Sequence, residues 1–119
     1  MSSSTGSDDA VGAVPAVIGR YLEAHDRRDA DAALSAFGAQ AKVVDDGHVY
    51  VGSDEIRHWL AKASTEFTYT RTLLGAEPEG AGTWVVRNRL DGNFPGGTVD
   101  LGYRFTVTSD LISELVIAP

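Results

Sequence analysis

The chain contains no cysteine. Thiol nucleophiles, disulfides, iron–sulfur clusters and cysteine-ligated zinc are therefore outside its chemistry. No apolar run approaches the roughly 18 to 20 residues that a membrane span requires, and the first residues lack the basic-then-apolar order of a signal peptide. A soluble, cytoplasmic protein with no membrane partner is the expectation. Basic residues are the minority, 10 against 17 acids, and the resulting charge of −7 repels a phosphate backbone, so nucleic acid is not an expected partner. No glycine-rich loop runs into Lys-Ser or Lys-Thr, which removes the usual phosphate cradle. Three histidines, His25, His48 and His58, occur without H-x-H or H-E-x-x-H spacing, so no metal site and no cofactor is expected.

What is present is enough for one domain. A chain of 119 residues should bury about two-thirds of its unfolded surface, which supports a core without staples. Residues 1–12 are mostly small and polar and read as a disordered or frayed tail, leaving 13–119 as a single domain.

Helical periodicity comes first. Val14, Val17, Ile18, Tyr21, Leu22 and His25 recur at three- and four-residue spacing, with Pro15 tolerable in the first turn. Asp29 is placed to cap a second helix carrying Ala33, Leu34 and Phe37 on one stripe, and Gly38 is expected to end it. Residues 42–51 then alternate like a hairpin around Asp46-Gly47, a dipeptide that accepts positive φ, so Asp45 and His48 face each other. Ser53 is read as the cap of a third helix with Ile56, Trp59, Leu60 and Ala63 turned inward and His58 off that stripe.

The rest alternates as strands, 67–74, 83–90, 98–108 and 111–118, divided by Glu79-Gly80, Phe94-Pro95-Gly96-Gly97 and Ser109-Asp110. In the third of these Val99, Leu101, Tyr103, Phe105 and Val107 share one face and Asp100 and Arg104 the other. In the first, Phe67, Tyr69 and Leu73 share their face with Arg71. The order predicts an α+β fold, helices first and an antiparallel sheet after.

The segments GRYLEAHDRRDADAALSAF, AKVVDDGHVYVGSDEIRHWL and FPGGTVDLGYRF carry a resemblance to the nuclear transport factor 2-like superfamily, in its SnoaL-like branch, over roughly residues 13–118. The resemblance implies a cone, or cystatin-like α+β barrel, in which a curved antiparallel sheet wraps the N-terminal helices around an apolar cavity. It also implies homodimerisation through the sheet's outer face. The branch includes ketosteroid isomerases, polyketide cyclases, dehydratases and epoxide hydrolases beside many proteins with no known activity, so it implies a site and leaves the reaction open.

Strand parity sets Asp45 on the side of Val43, away from Lys42 and Val44. Against the ketosteroid isomerases, Asp45 matches the general base and Tyr21 the oxyanion-binding tyrosine. The alternative for Asp45 is to close the Asp46-Gly47 turn, and for Tyr21 to fill the core. The second, protonated acid of those isomerases falls on Leu101, while Asp100 points the other way. Losing one such donor typically costs ~2.7 to 4 kcal/mol, which argues against that particular reaction.

His25, one turn beyond Tyr21, and His48, opposite Asp45, are candidate auxiliary acids or bases, with solvated or backbone-bonded imidazoles as the plainer alternative. Trp59, Trp84, Asn88, Tyr69, Tyr103, Phe105 and Leu101 are candidate walls for a small apolar ligand. Arg89-Leu90-Asp91 resembles the Arg-x-Asp element of the epoxide hydrolases, but parity groups Arg87, Arg89 and Asp91 as an outward charge row. Two functions stay open: a cofactor-free isomerase, cyclase or dehydratase, or a non-catalytic ligand-binding or dimerisation module.

Overall fold

A computed structural model describes residues 14–66 and 68–119. The tail read at 1–12 and Phe67, expected to open a strand, lie outside the described residues. The elements run α1 (Ala16–Asp26), α2 (Ala30–Leu34), β1 (Phe37–Asp45), β2 (His48–Val51), α3 (Ser53–Glu66), β3 (Tyr69–Pro78), β4 (Thr83–Gly92), β5 (Thr98–Thr108) and β6 (Leu111–Ala118). No helix among the described residues is long and apolar enough to cross a membrane.

Helix α1 starts directly after Pro15 and buries Val17, Ile18, Tyr21 and Leu22 of the stripe its spacing predicts, with Ala24 in addition. It closes in a Schellman pattern: the Asp29 N–H donates to the Ala24 carbonyl at 2.9 Å and the Arg28 N–H to that of His25 at 3.0 Å. Arg28 takes the left-handed conformation there, φ 58°, at a position that usually holds glycine. Asp29 then caps α2, its Oδ1 accepting from the Ala32 N–H at 3.1 Å.

Three local expectations are corrected here. Helix α2 ends at Leu34, so Gly38 is not its terminator, and Phe37 belongs to β1 and not to the helical stripe. The Ile112 N–H donates to the Ala36 carbonyl at 2.9 Å, and Phe37 pairs with Ile112, so sheet pairing captures the chain before a further helical turn can form. Helix α3 runs from Ser53, so Ser53 is its first residue and not its cap: Gly52 holds the cap position, its carbonyl accepting from the Ile56 N–H at 3.0 Å, and Glu55 reaches back to accept from the Val51 N–H at 2.8 Å.

Six strands form one curved, unclosed sheet in the order β2-β1-β6-β5-β4-β3. Two features depart from a closed antiparallel wall. β1 and β6 run parallel, because the meander after α3 returns the last strand to the middle of the sheet beside β1. β2 and β3 are unpaired edges, so the cone stays open and is not a barrel. The turns obey their residues: Asp46 and Gly47, with φ of 53° and 76°, and Ser109 and Asp110, with 52° and 66°, give the paired positive angles of primed hairpin turns.

The concave face meets the helices. Val43, Val86, Phe105, Ile112 and Leu115 pack on Ile18, Tyr21, Ile56 and Leu60 in one core, where each fully buried large apolar side chain contributes about 1.5–3 kcal/mol. The convex face carries a cross-strand ion pair, Arg89 to Asp100 at 2.7 and 3.1 Å, and Arg104 meets Glu79 of the β3–β4 loop at 3.1 Å, both exposed and therefore worth little stability. Arg89 and Asp91 lie on this outer side, so the two charged residues of the Arg-Leu-Asp element do not face the interior.

Candidate active site

Between α1, α3 and the concave side of β3 to β6 lies a cavity of about 570 Å³, within the range of small-molecule sites. Tyr21 and His25 reach it from one face of α1, four residues apart, and Asp45 enters from the end of β1. The three residues thus share one space. Trp59, Tyr69, Leu101 and Tyr103 also form its wall, as do Leu90, Val99 and the Phe94-Pro95 loop, which the sequence did not single out. Gly92 lets that loop close: a Cβ there would fall 2.5 Å from the Thr68 carbonyl oxygen and 2.6 Å from the Tyr69 Cβ.

Asp45 is half-buried, and its Oδ2 accepts from the Trp59 indole N–H at 3.0 Å. The carboxylate is therefore held by α3 and does not close the adjacent turn. A base aimed by a single neutral donor keeps its other oxygen for a ligand.

Tyr21 is 1% exposed, and its hydroxyl has no hydrogen-bond partner among the described residues. Phe37 and Phe105 pack edge-on against its ring, with centroids at 5.3 and 5.7 Å, which fixes the ring while offering the hydroxyl nothing. Burial pushes the phenol well above its ordinary value, and the neighbouring Tyr103, Tyr69 and Asp45 push it further. It is a neutral donor at any physiological pH. An unpaired buried hydroxyl costs roughly 1–3 kcal/mol, so this one is stabilised when an acceptor arrives.

His25 is mostly buried, and burial lowers its pKa, with Arg71 and Arg28 acting in the same direction against Asp26 and Asp45. Its Nδ1 lies 3.1 Å from the Tyr69 hydroxyl, whose own value burial pushes up to about 12. With the phenol protonated and donating to Nδ1, the imidazole proton sits on Nε2. The Nε2–H is then the donor that the pair can offer a ligand.

Other candidates stand elsewhere. His48 is exposed, its Nδ1 3.2 Å from the Asp46 carbonyl oxygen, and it does not line the cavity although its backbone pairs with Asp45. His58 is exposed. Phe105 is wholly buried behind Tyr21, and Trp84 packs at the core's margin, so neither forms cavity wall. Asn88 is wholly buried beside Leu101 in the β4–β5 register and serves a different group. Its Oδ1 accepts from Arg71 Nη1 at 2.8 Å, while its Nδ2 has no partner among the described residues. Asp100 is exposed and bound to Arg89, and Leu101 puts an alkyl group on the cavity wall.

Sequence reasoning missed the chain Asp26–Arg71–Asn88. Arg71 donates to Asp26 through Nε at 2.9 Å and Nη2 at 2.7 Å, and its side chain is only 16% exposed. The one visible sign was an arginine sharing a strand face with Tyr69.

Comparison with protein-family models and with curated proteins gives no match. Solved structures do match. A Sinorhizobium meliloti protein provisionally assigned as a polyketide cyclase is 30% identical, covering 90% of this chain and 97% of its own, with a TM-score of 0.84. A Catenulispora acidiphila protein of ketosteroid isomerase-like fold, solved with trimethylamine, is 16% identical over 88% of this chain and 85% of its own, with a TM-score of 0.77. The epoxide hydrolase/cyclase-like enzyme SalBIII, of pyran ring formation in the polyether salinomycin, is 16% identical over 86% of each chain, with a TM-score of 0.75. The last two show likeness of fold alone, but the first is close enough in sequence and coverage to decide membership: the chain belongs to the nuclear transport factor 2-like superfamily, in the SnoaL-like branch that holds polyketide cyclase-like and ketosteroid isomerase-like proteins.

Proposed function

We propose that the cavity binds a small, mainly apolar carbonyl compound and catalyses proton transfer beside the carbonyl, as an isomerisation, cyclisation or dehydration. Asp45 is the base, Tyr21 the hydrogen-bond donor to the developing oxyanion, and His25, partnered by Tyr69, the auxiliary acid. The observation that carries this reading is that Tyr21 and Asp45 line one cavity, the Tyr21 hydroxyl being buried and without an acceptor among the described residues. The Sinorhizobium relative's assignment and SalBIII's part in ring formation lend support to cyclisation within that class. Leu101 in place of a second acid argues against steroid isomerisation with two oxyanion donors.

The test is hydrogen exchange on a panel of cyclic ketones and enones in D₂O, followed by NMR. Exchange at the carbon next to the carbonyl, above buffer and lost in Asp45→Asn, is the expected result. Binding of a panel member without exchange, equal in wild type and Asp45→Asn, would leave the domain a ligand carrier.

Homodimerisation through the convex face belongs to the same proposal. Successive register partners there are Val49, Val44, Val116, Arg104 and Val85, an apolar row interrupted by one charge, and Val49 is 54% exposed.

A further inference from the structure

A second hollow of about 280 Å³ adjoins the cavity and shares His25, Ala63 and Tyr69 with it. Its character is different: the remaining lining is Asp26, Arg28, Thr70 and Arg71. With two guanidinium groups against one carboxylate and a neutral imidazole, this basin carries net positive charge inside a chain whose total is −7.

Arg71 is held rather than free. Asp26 takes two of its N–H groups and Asn88 a third, and a guanidinium has five, so among the described residues one N–H on each terminal nitrogen remains for a ligand, on a group whose orientation is already fixed. Both Asp26 oxygens are engaged by that same fork, which offsets the carboxylate's repulsion of an incoming anion. Arg28 gives an independent sign. It occupies the left-handed residue of a Schellman closure, where glycine is unstrained and arginine is not, and its guanidinium carbon lies 6.0 Å from the centroid of the Tyr69 ring that both hollows share. Backbone strain kept at such a position points to a use for the side chain.

From these residues we infer that the basin is an anion subsite continuous with the cavity, so that the ligand is an amphiphile with its apolar body in the cavity and a carboxylate-type group between Arg71 and Arg28. The inference rests on the reading of the larger cavity as a ligand site and narrows its substrate class.

A matched pair of probes, 4-(2-naphthyl)butanoate and 4-(2-naphthyl)butan-1-ol, tests it by calorimetric titration at pH 7 and low salt. The carboxylate is expected to bind about tenfold or more tighter than the alcohol. In Arg71→Gln and Arg28→Gly that preference shrinks severalfold or vanishes while alcohol affinity stays unchanged. Should Arg71→Gln fail to fold, Arg28→Gly decides, because glycine relieves the backbone at that position. Equal affinity of the two probes for wild type, or a preference that survives both substitutions, overturns the subsite and leaves the cavity reading standing. Binding of neither probe overturns both.

Discussion

The indole N–H of Trp59 on α3 donates to Asp45 Oδ2 at the end of β1 at 3.0 Å, tying the helix to a carboxylate that lines the cavity beside the hairpin turn. A bond to a charged acceptor is worth about 1.5–3 kcal/mol. Trp59→Phe keeps most of the ring and loses the donor, so it should cost about 2 kcal/mol in urea denaturation followed by circular dichroism. A cost within experimental error of zero would mean that the bond does not hold the carboxylate in solution.

Tyr21→Phe has the opposite sign. The hydroxyl it removes is buried and without a partner among the described residues, so the unliganded protein should be unchanged or up to about 1 kcal/mol more stable, while affinity for a carbonyl ligand falls. A loss of more than about 1 kcal/mol in the free protein would show that the hydroxyl already has an acceptor.

Stability should depend on pH through His25. Burial puts its folded-state pKa below the ordinary value of 6.5, so the unfolded chain binds the proton more readily. Its contribution is therefore fully present above pH 6.5 and is lost as pH falls from there towards the folded-state value. Asp26, Asp45, Arg28, Arg71 and Tyr69 surround the ring and stay in place in His25→Gln. That variant should lose part of the decline in denaturation midpoint between pH 7 and pH 5, and an identical profile would remove His25 as its source.

Arg28→Gly should stabilise the free protein by about 1 kcal/mol, because a left-handed residue with a Cβ costs roughly 1–2 kcal/mol. The readout is the thermal midpoint without ligand. A lower midpoint would show that contacts of the arginine side chain outweigh the backbone cost.

Val116→Glu places a charge in the middle of the apolar row on the convex face, where wild-type Val116 pairs with Val44 and Arg104. Wild type should sediment as a dimer at micromolar concentration and the variant as a monomer with its far-ultraviolet spectrum intact. A monomeric wild type ends the proposal of a sheet-face dimer.

Much of the fold was legible because local chemistry decided it. Asp29 caps a helix since its side chain reaches orphan N–H groups two and three residues ahead, and Asp46-Gly47 turns the chain because those residues accept positive φ. Strand parity put Asp45 on the inner side and Asp100 and Arg104 on the outer one, as found. Gly38 misled because a glycine after an apolar stripe signals a helix end, while here the pairing of Phe37 with Ile112, distant in sequence, took the chain first. His48 pairs with Asp45 as the hairpin predicts, and the two line a hollow of about 110 Å³ beside the larger cavity.

By itself the sequence determined the order of helices and strands, most of the turns between them and the inward side of Asp45 and of the strands at 83–90 and 98–108, since all of these depend on neighbours a few residues away. Only the tertiary structure decided that the Tyr21 hydroxyl has no acceptor among the described residues, that Trp59 holds Asp45, and that Asp26, Arg71 and Asn88 form one chain beside the cavity. Those relationships join side chains from different helices and strands, and no periodicity or cap encodes which of them will meet once a curved sheet closes over a helix.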